Sequence, residues 1–307
     1  MSDQRRSTVG VAVDEAAVER SQGADEAPVS PLRRESGRSW RSFILPIYTR
    51  LMILYLLIPI AIMILYSFNS NPGAGRQTSP QISFRWNGFT LYWWRQWNQV
   101  PGITSSLRNS LVIAVTSTIV ATILGTLLAL ALVRYRFRGS GSIEMVMFLN
   151  IAAPEIVLGA SLLSFFVLIN FPLGLFSVFV AHVMFNIAFV AVTVRARLAG
   201  FHREIEEAAQ DLYADSIQTF LRVTLPLIWP GILAGALLAF ALSIDDFVTT
   251  NFVAGQSVTF PLWVYGAARI GIPPQVFVMG TVIFSVGILI AAFNIFSAAR
   301  KPAPTTT

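Results

Sequence analysis

Cysteine is absent from this 307-residue chain, so it has no disulfide framework and no thiol chemistry. Lysine occurs once, as Lys301 in the tail, and nowhere does GxxxxGK precede Ser or Thr. ATP hydrolysis through a Walker phosphate loop is therefore excluded. Histidine occurs only as His182 and His202, too few and too far apart in sequence to suggest a metal site. No HExxH, no nucleophile elbow and no paired-carboxylate glycosidase arrangement stands out, and nothing calls for a cofactor. Charge is scarce as well, at 12% of residues, where soluble domains carry roughly 25%. What fills the chain instead is apolar: 54% hydrophobic residues and a mean hydropathy of +0.63. This is the composition of a membrane protein, with the lipid bilayer as its solvent. The formal charge of +6 would hint at nucleic acid in a soluble protein. Here the arginines cluster beside apolar runs, and membrane orientation explains them better.

Residues 1–42 form a separate regime of mixed charge, Gly, Ser and Pro with broken apolar periodicity, and read as a disordered tail. They are not a signal peptide, because the apolar run begins too late. Roughly 20 apolar residues cross the hydrocarbon, and Phe43 to Phe68 supplies the first span despite Arg50. Ser67 to Arg108 reads as an exported loop, with turns at Pro72, Gly73, Gly75 and Pro80 and strand-like pieces from Ile82 to Leu91. Tyr92, Trp93, Trp94 and Trp97 form an aromatic cluster suited to anchoring at the headgroups, with ligand contact as the alternative. Five more spans are expected: Leu111–Val133, Ile143–Ile169 broken at Pro154-Glu155, Leu173–Val194, Pro226–Ile244 and Val276–Ala298. Six crossings put both termini on one side, and the basic residues at Arg134, Arg136, Arg138, Arg195, Arg197 and Arg300 fall on it. The positive-inside rule makes that side cytoplasmic, although Arg76, Arg85, Arg95 and Arg108 lie in the exported loop. Gly125, Gly159, Gly231 and Gly235, with Ala239, permit close helix contact and carry little functional weight by themselves.

The polar stretch from Arg195 to Pro226 stands between two apolar spans. Its pattern predicts helix, turn, helix. Arg203 to Leu212 is helix-compatible, with its acids early, where the positive end of the helix favours them. Ile205, Ala208, Ala209 and Leu212 give it an apolar side. Asp215 and Ser216 are placed to cap a second short helix over Ile217 to Thr224, and Pro226 then fits the first turn of the next span. An acidic polar face argues against anionic lipid as the target and for a cytoplasmic protein partner.

Glu207-Ala208-Ala209, the turn that follows and Leu225-Pro226 resemble the EAA loop of ABC importer permeases. The resemblance covers about Pro46 to Ala299. It implies an all-α, polytopic fold of the type I ABC importer permease with six transmembrane helices. The permease domain would span residues 43–299 with a coupling loop at 195–226, and residues 300–307 would form a cytoplasmic tail. In that family the loop docks in a groove of the ATPase, which assigns Glu206, Glu207, Ala208, Ala209 and Tyr213 to coupling. Many relatives have Gly where this chain has Tyr213, and Pro where it has Ser216. Either Tyr213 adopts the left-handed conformation at the cost of strain, or its ring packs into the ATPase groove; the second is the preferred expectation. The implied partners are an ABC ATPase subunit pair, a second homologous permease and an extracytoplasmic solute-binding protein. The implied location is a bacterial or archaeal cell membrane. Ser67-Phe68-Asn69, Ala153-Pro154-Glu155 and Ser243-Ile244-Asp245-Asp246-Phe247 are similar to the second permease of spermidine/putrescine importers. Iron, thiamine and opine-type permeases are the nearest alternatives. A secondary transporter would show internal repeats and its own ion coupling, and a non-transport scaffold would show no ATP-dependent flux.

Glu155, Asp245 and Asp246 are the candidates for a translocation path. An Asp facing lipid costs roughly 2.5 to 3.5 kcal/mol on insertion scales, so these acids should face protein or water. Acids at two depths suit a multiply charged cation that must bind and then leave. The alternatives are structural: Glu155 capping a broken helix or protonated against a neighbouring span, and Asp245-Asp246 starting the outer loop.

Overall fold

A computed structural model describes residues 41–70, 85–135, 137–200 and 204–299. Residues 1–40 of the expected tail, the turns from Pro72 to Pro80, the strand-like Ile82 to Phe84, Arg136, His202, Arg203 and residues 300–307 lie outside the described residues. The chain divides into two units, Met1–Leu57 and Ile58–Thr307, and the boundary falls inside the first helix. That helix, α1 (Arg41–Tyr66), is apolar, and Ile44, Leu45, Leu51, Leu54 and Leu57 are exposed along it.

The second unit is built from helices. After the short α2 (Tyr92–Arg95) come α3 (Ile103–Arg134), α4 (Ser140–Ala152), α5 (Glu155–Leu168) and α6 (Leu175–Leu198). Then follow α7 (Glu204–Asp211), α8 (Ser216–Thr219), α9 (Leu225–Asp245), α10 (Val248–Val253), α11 (Phe260–Ile270) and α12 (Gln275–Ala299). The all-α expectation holds; the one strand-like feature among the described residues is an isolated bridge between Asn69 and Phe89.

Helices α3, α6 and α9 form the centre, around Ala129, Val190, Val194, Ile228 and Ala239. In lipid, burying apolar surface gives little drive for helices to associate, so close packing must supply it. The small residues do so here. A Cβ on Gly125 would lie 2.7 Å from the Val190 Cβ and 2.9 Å from the Ile187 carbonyl oxygen. One on Gly231 would lie 2.7 Å from the Arg197 Cβ. A second cluster joins α3, α5, α6 and α10 through Ile113, Leu162, Phe166, Val178 and Val253. In it Gly159 meets Phe252 so closely that a Cβ would come within 2.5 Å of the ring.

Four points differ from the expectation. Among the described residues, four helical segments, α1, α3, α6 and the segment Ser216–Asp245, are long and apolar enough to cross a membrane unbroken, against five expected unbroken spans and one broken. The third expected span breaks at Pro154-Glu155 as expected, but into a pair, α4 and α5, bent as sharply as 113°, and α12 supplies the sixth apolar helix. The cause of the bend is local. Pro154 drives the preceding residue out of the helical region, and Ala153 and Pro154 are both extended, with ψ of 137° and 128°. Second, the short helix after the polar loop is continuous with α9 through a π-helical turn, Phe220–Thr224. Pro226 has no N–H for the Arg222 carbonyl and its ring crowds that oxygen, so the ladder widens and Leu225 N–H donates to the Phe220 carbonyl. Third, while its neighbour Tyr92 is exposed, Trp93 is buried within the protein. It donates from Nε1 to the Asn69 carbonyl at 3.0 Å and packs with Ile103, Val278 and Met279, joined by Trp94 and Trp97. Fourth, the segment after Asp246 is helical, through α10 and α11, where only a loop was expected.

Candidate functional site

Two places bring the singled-out residues together, one at each end of α9. At its first end, the polar loop folds as α7, a turn and α8. Glu204, Glu206 and Glu207 occupy the first turn of α7, where the helix dipole favours them. The helix ends in paired backbone bonds: Tyr213 N–H donates to the Gln210 carbonyl at 2.9 Å and Ala214 N–H to the Ala209 carbonyl at 3.2 Å. This is the pattern that places a left-handed residue just beyond the helix, a position Gly favours. Tyr213 stands there with φ of +64°. The conformation that a glycine would allow is therefore adopted by the tyrosine, and its ring is 98% exposed within the chain. Asp215 caps α8 as expected, accepting from the Gln218 N–H at 2.7 Å.

The first two glutamates of the Glu-Glu-Ala-Ala run face different ways. Glu207 and Ala208 are exposed and Ala209 is half-buried. Glu206 instead accepts from Arg134 at the end of α3 and from the Thr224 hydroxyl in the π turn. Arg134 also donates to Thr224 Oγ1 at 3.1 Å, and Thr224 is fully buried. Glu206 thus ties α7 to the foot of α3 and to the start of α9.

A left-handed Cβ-bearing residue carries roughly 1 kcal/mol or more of strain. Tyr213→Gly is expected to raise the stability of the purified protein by about 1 kcal/mol, read as a higher thermal unfolding midpoint. A midpoint below wild type would contradict the strained turn.

At the other end of α9, the structure brings Glu155, Asp245 and Asp246 to one cavity of about 390 Å³. The chain has 16 Asp and Glu in all, and three of them, from two elements remote in sequence, meet here. Glu155 arrives because the bend at Ala153-Pro154 places it at the first residue of α5. Asp245 is the last residue of α9, and its carboxylate interacts electrostatically with both Asp246 and Glu155. Glu155 and Asp245 are exposed. Asn150, Phe185, Phe189 and Phe247 supply an amide and three aromatic rings to the same lining. A multiply charged organic cation with methylene stretches matches this mixture: carboxylates for its charges, rings for its charges and its carbon chain.

Asp246 is held differently from its neighbour. Its Oδ2 accepts from the Thr250 N–H at 2.8 Å and from the Thr250 hydroxyl at 2.6 Å, and its Oδ1 accepts from the Thr249 N–H at 3.3 Å. It therefore caps α10. His182 Nε2 lies 3.2 Å from Asp246 Oδ2 and 3.0 Å from Thr250 Oγ1. On its other side, His182 Nδ1 bonds Ser243 Oγ, which in turn lies 2.9 Å from Ser117 Oγ. His182, Ser243, Ser117 and Thr250 are all buried. The scarcity of histidine argues against a metal site but leaves open a role for His182 in a hydrogen-bond chain. The available signal was its place inside a 24-residue apolar helix, where an ionisable side chain calls for a partner.

Residues 121–299 match the family described as "Binding-protein-dependent transport system inner membrane component". The chain is 38% identical over 230 residues to the spermidine/putrescine transport system permease protein PotC of Escherichia coli (strain K12), covering 75% of this chain and 84% of that one. It is 36% identical over 244 residues to the putrescine transport system permease protein PotI of the same organism, covering 76% and 84%. Among solved structures, a chain of a bacterial ABC transporter involved in the import of the acidic polysaccharide alginate superposes with a TM-score of 0.59 at 17% identity, covering 89% of this chain and all of that one. A chain of the MetNI methionine ABC transporter, in an inward-facing conformation, gives 0.52 at 18% identity, covering 65% and 96%. The two structures establish the shared fold, and the match over 121–299 with the identity to PotC and PotI establishes kinship: the chain belongs to the binding-protein-dependent transport system inner membrane components.

Proposed function

We propose that this permease carries spermidine or putrescine across the cell membrane, driven by ATP hydrolysed in a separate pair of ABC ATPase subunits. A second, homologous permease completes the path, and an extracytoplasmic solute-binding protein delivers the polyamine. Residues 43–299 act as the permease domain between two tails, 1–42 and 300–307, with the termini and the 195–226 loop on the cytoplasmic side. Glu207, Ala208, Ala209 and the exposed ring of Tyr213 meet the ATPase groove. Glu206 links that contact to the bundle through Arg134 and Thr224. Movement of the loop then reaches α9 without a flexible joint, because α8, the π turn and α9 are continuous.

The observation that carries the substrate reading is the cavity lined by Glu155, Asp245 and Asp246 beside Phe185, Phe189 and Phe247. Carboxylates at this end of α9 attract a cation, and partial exposure of two of them keeps binding weak enough for release. The names of PotC and PotI agree with that chemistry. The test is ATP-dependent uptake by the whole complex in proteoliposomes with its cognate binding protein. Labelled spermidine and putrescine are expected to accumulate, and unlabelled polyamine, not thiamine or ferric iron, to compete. Accumulation of thiamine or iron without polyamine would overturn the assignment.

A further inference from the structure

We infer that His182 is a positioning residue for cation passage, acting through Asp246 from outside the cavity. The inference rests on the reading of the acidic cavity as the cation path. His182 does not line that cavity, whereas Asp246 does. The imidazole is 1% exposed and engaged at both nitrogens. A neutral ring with its proton on Nε2 satisfies every group in the chain. Ser243 donates to Nδ1, Ser117 donates to Ser243, and Nε2–H is shared by Asp246 Oδ2 and Thr250 Oγ1. This chain links α3, α9 and α6 to the start of α10, which packs on α5 through Phe252 and Gly159.

The consequence for Asp246 is an asymmetry. Its Oδ2 faces three donors, Thr250 N–H, Thr250 Oγ1 and His182 Nε2, which saturates an oxygen with two lone pairs. Its Oδ1 faces one, the Thr249 N–H at 3.3 Å. The oxygen left with capacity for a cation is Oδ1. His182 adds the third bond on Oδ2 and, with the two from Thr250, holds the carboxylate against rotation. Removing the ring's donor leaves Oδ2 on the two Thr250 bonds alone and loosens the carboxylate, so a passing cation meets a site of altered strength. Charge-assisted bonds of this kind are the stronger class.

The experiment is uptake by the whole complex in proteoliposomes with its binding protein, reading spermidine and putrescine in parallel and normalising to assembled complex. His182→Phe keeps a ring of similar size and removes both bonds; His182→Gln restores a donor toward Asp246. We expect His182→Phe to lower spermidine uptake about tenfold and to lower the spermidine-to-putrescine ratio. His182→Gln recovers most of both. The double variant His182→Phe/Asp246→Asn transports no worse than Asp246→Asn alone, since one acts through the other. Asn186→Leu is the control: Asn186 is fully buried one turn along the same face of α6 and makes none of these bonds. It is expected to leave the ratio at its wild-type value. Multiplicative losses in the double variant, no recovery with Gln, or an equal shift of the ratio in Asn186→Leu would overturn the positioning role. If Asp246→Asn is impaired and His182→Phe is not, only this inference falls. If Asp246→Asn itself transports at wild-type rates, the path reading falls, and the positioning role with it.

Discussion

Placing an aspartate at position 209 is expected to cut ATP-driven uptake at least a hundredfold while the subunit still reaches the membrane. Ala209 is half-buried on the apolar side of α7, and its carbonyl takes the closing bond from Ala214. A carboxylate there sits in the last turn of α7, where the dipole disfavours negative charge. It also enters the face of Ala208 and Ala209 that we propose meets the ATPase. Burying an unpaired charge in a protein contact costs about 3 to 5 kcal/mol, which corresponds to roughly two to nearly four orders of magnitude in affinity. Glu207→Ala removes one exposed carboxylate from the first turn of α7. It is expected to act more mildly, through a weaker contact, with ATP hydrolysis less tightly tied to uptake. The measurement is the ratio of polyamine transported to ATP hydrolysed, with membrane abundance quantified alongside. Wild-type ratios in both variants at normal abundance would remove the loop from the coupling machinery.

The coupling loop was largely legible in the sequence. Helix α7, the Asp215 cap and the left-handed demand at position 213 are local properties, set by acids early in a helix, a capping carboxylate and the missing glycine. What the sequence hid was the direction of each side chain. Glu206 and Glu207 are adjacent in sequence, yet only Glu206 turns back to Arg134 and Thr224. That pairing needs three elements in register, which a periodicity argument does not supply. The acidic site was legible as residues and hidden as a place. Pro154 announced a break, but a kinked span and a 113° reversal begin from the same proline. Only the reversal brings Glu155 to the cavity of Asp245 and Asp246. The burial of Trp93 was hidden for a related reason. Tryptophans beside a membrane suit the headgroups, and they suit equally a buried pocket that offers the indole N–H an acceptor, which Asn69 provides for Trp93.

The second large effect is expected at that cavity. Glu155→Gln and Asp246→Asn each remove one negative charge and change little else. Asparagine keeps one acceptor oxygen, enough for the two Thr250 bonds at the start of α10, and gives up only the longer 3.3 Å bond from the Thr249 N–H in Asp246→Asn. Glutamine at 155 keeps the length of the side chain at the start of α5. A hydrogen bond to a charged group contributes about 1.5 to 3 kcal/mol, so each change is expected to slow spermidine uptake roughly tenfold to a hundredfold. Asp246→Glu keeps the charge and displaces it, and is expected to be milder than Asp246→Asn. The effect should scale with the charge of the cargo, because attraction to a fixed carboxylate grows with the number of cationic groups near it. Putrescine, with fewer ammonium groups than spermidine, should lose less.

The most direct test is therefore uptake of spermidine and putrescine by the assembled complex in proteoliposomes. Wild type is compared with Glu155→Gln/Asp246→Asn at matched assembly, saturating ATP and saturating loaded binding protein. The cavity as cation path predicts a loss of spermidine uptake of about a hundredfold or more, a smaller loss for putrescine, and a fallen ratio between them. Uptake of both polyamines by the double variant at wild-type rates would contradict it.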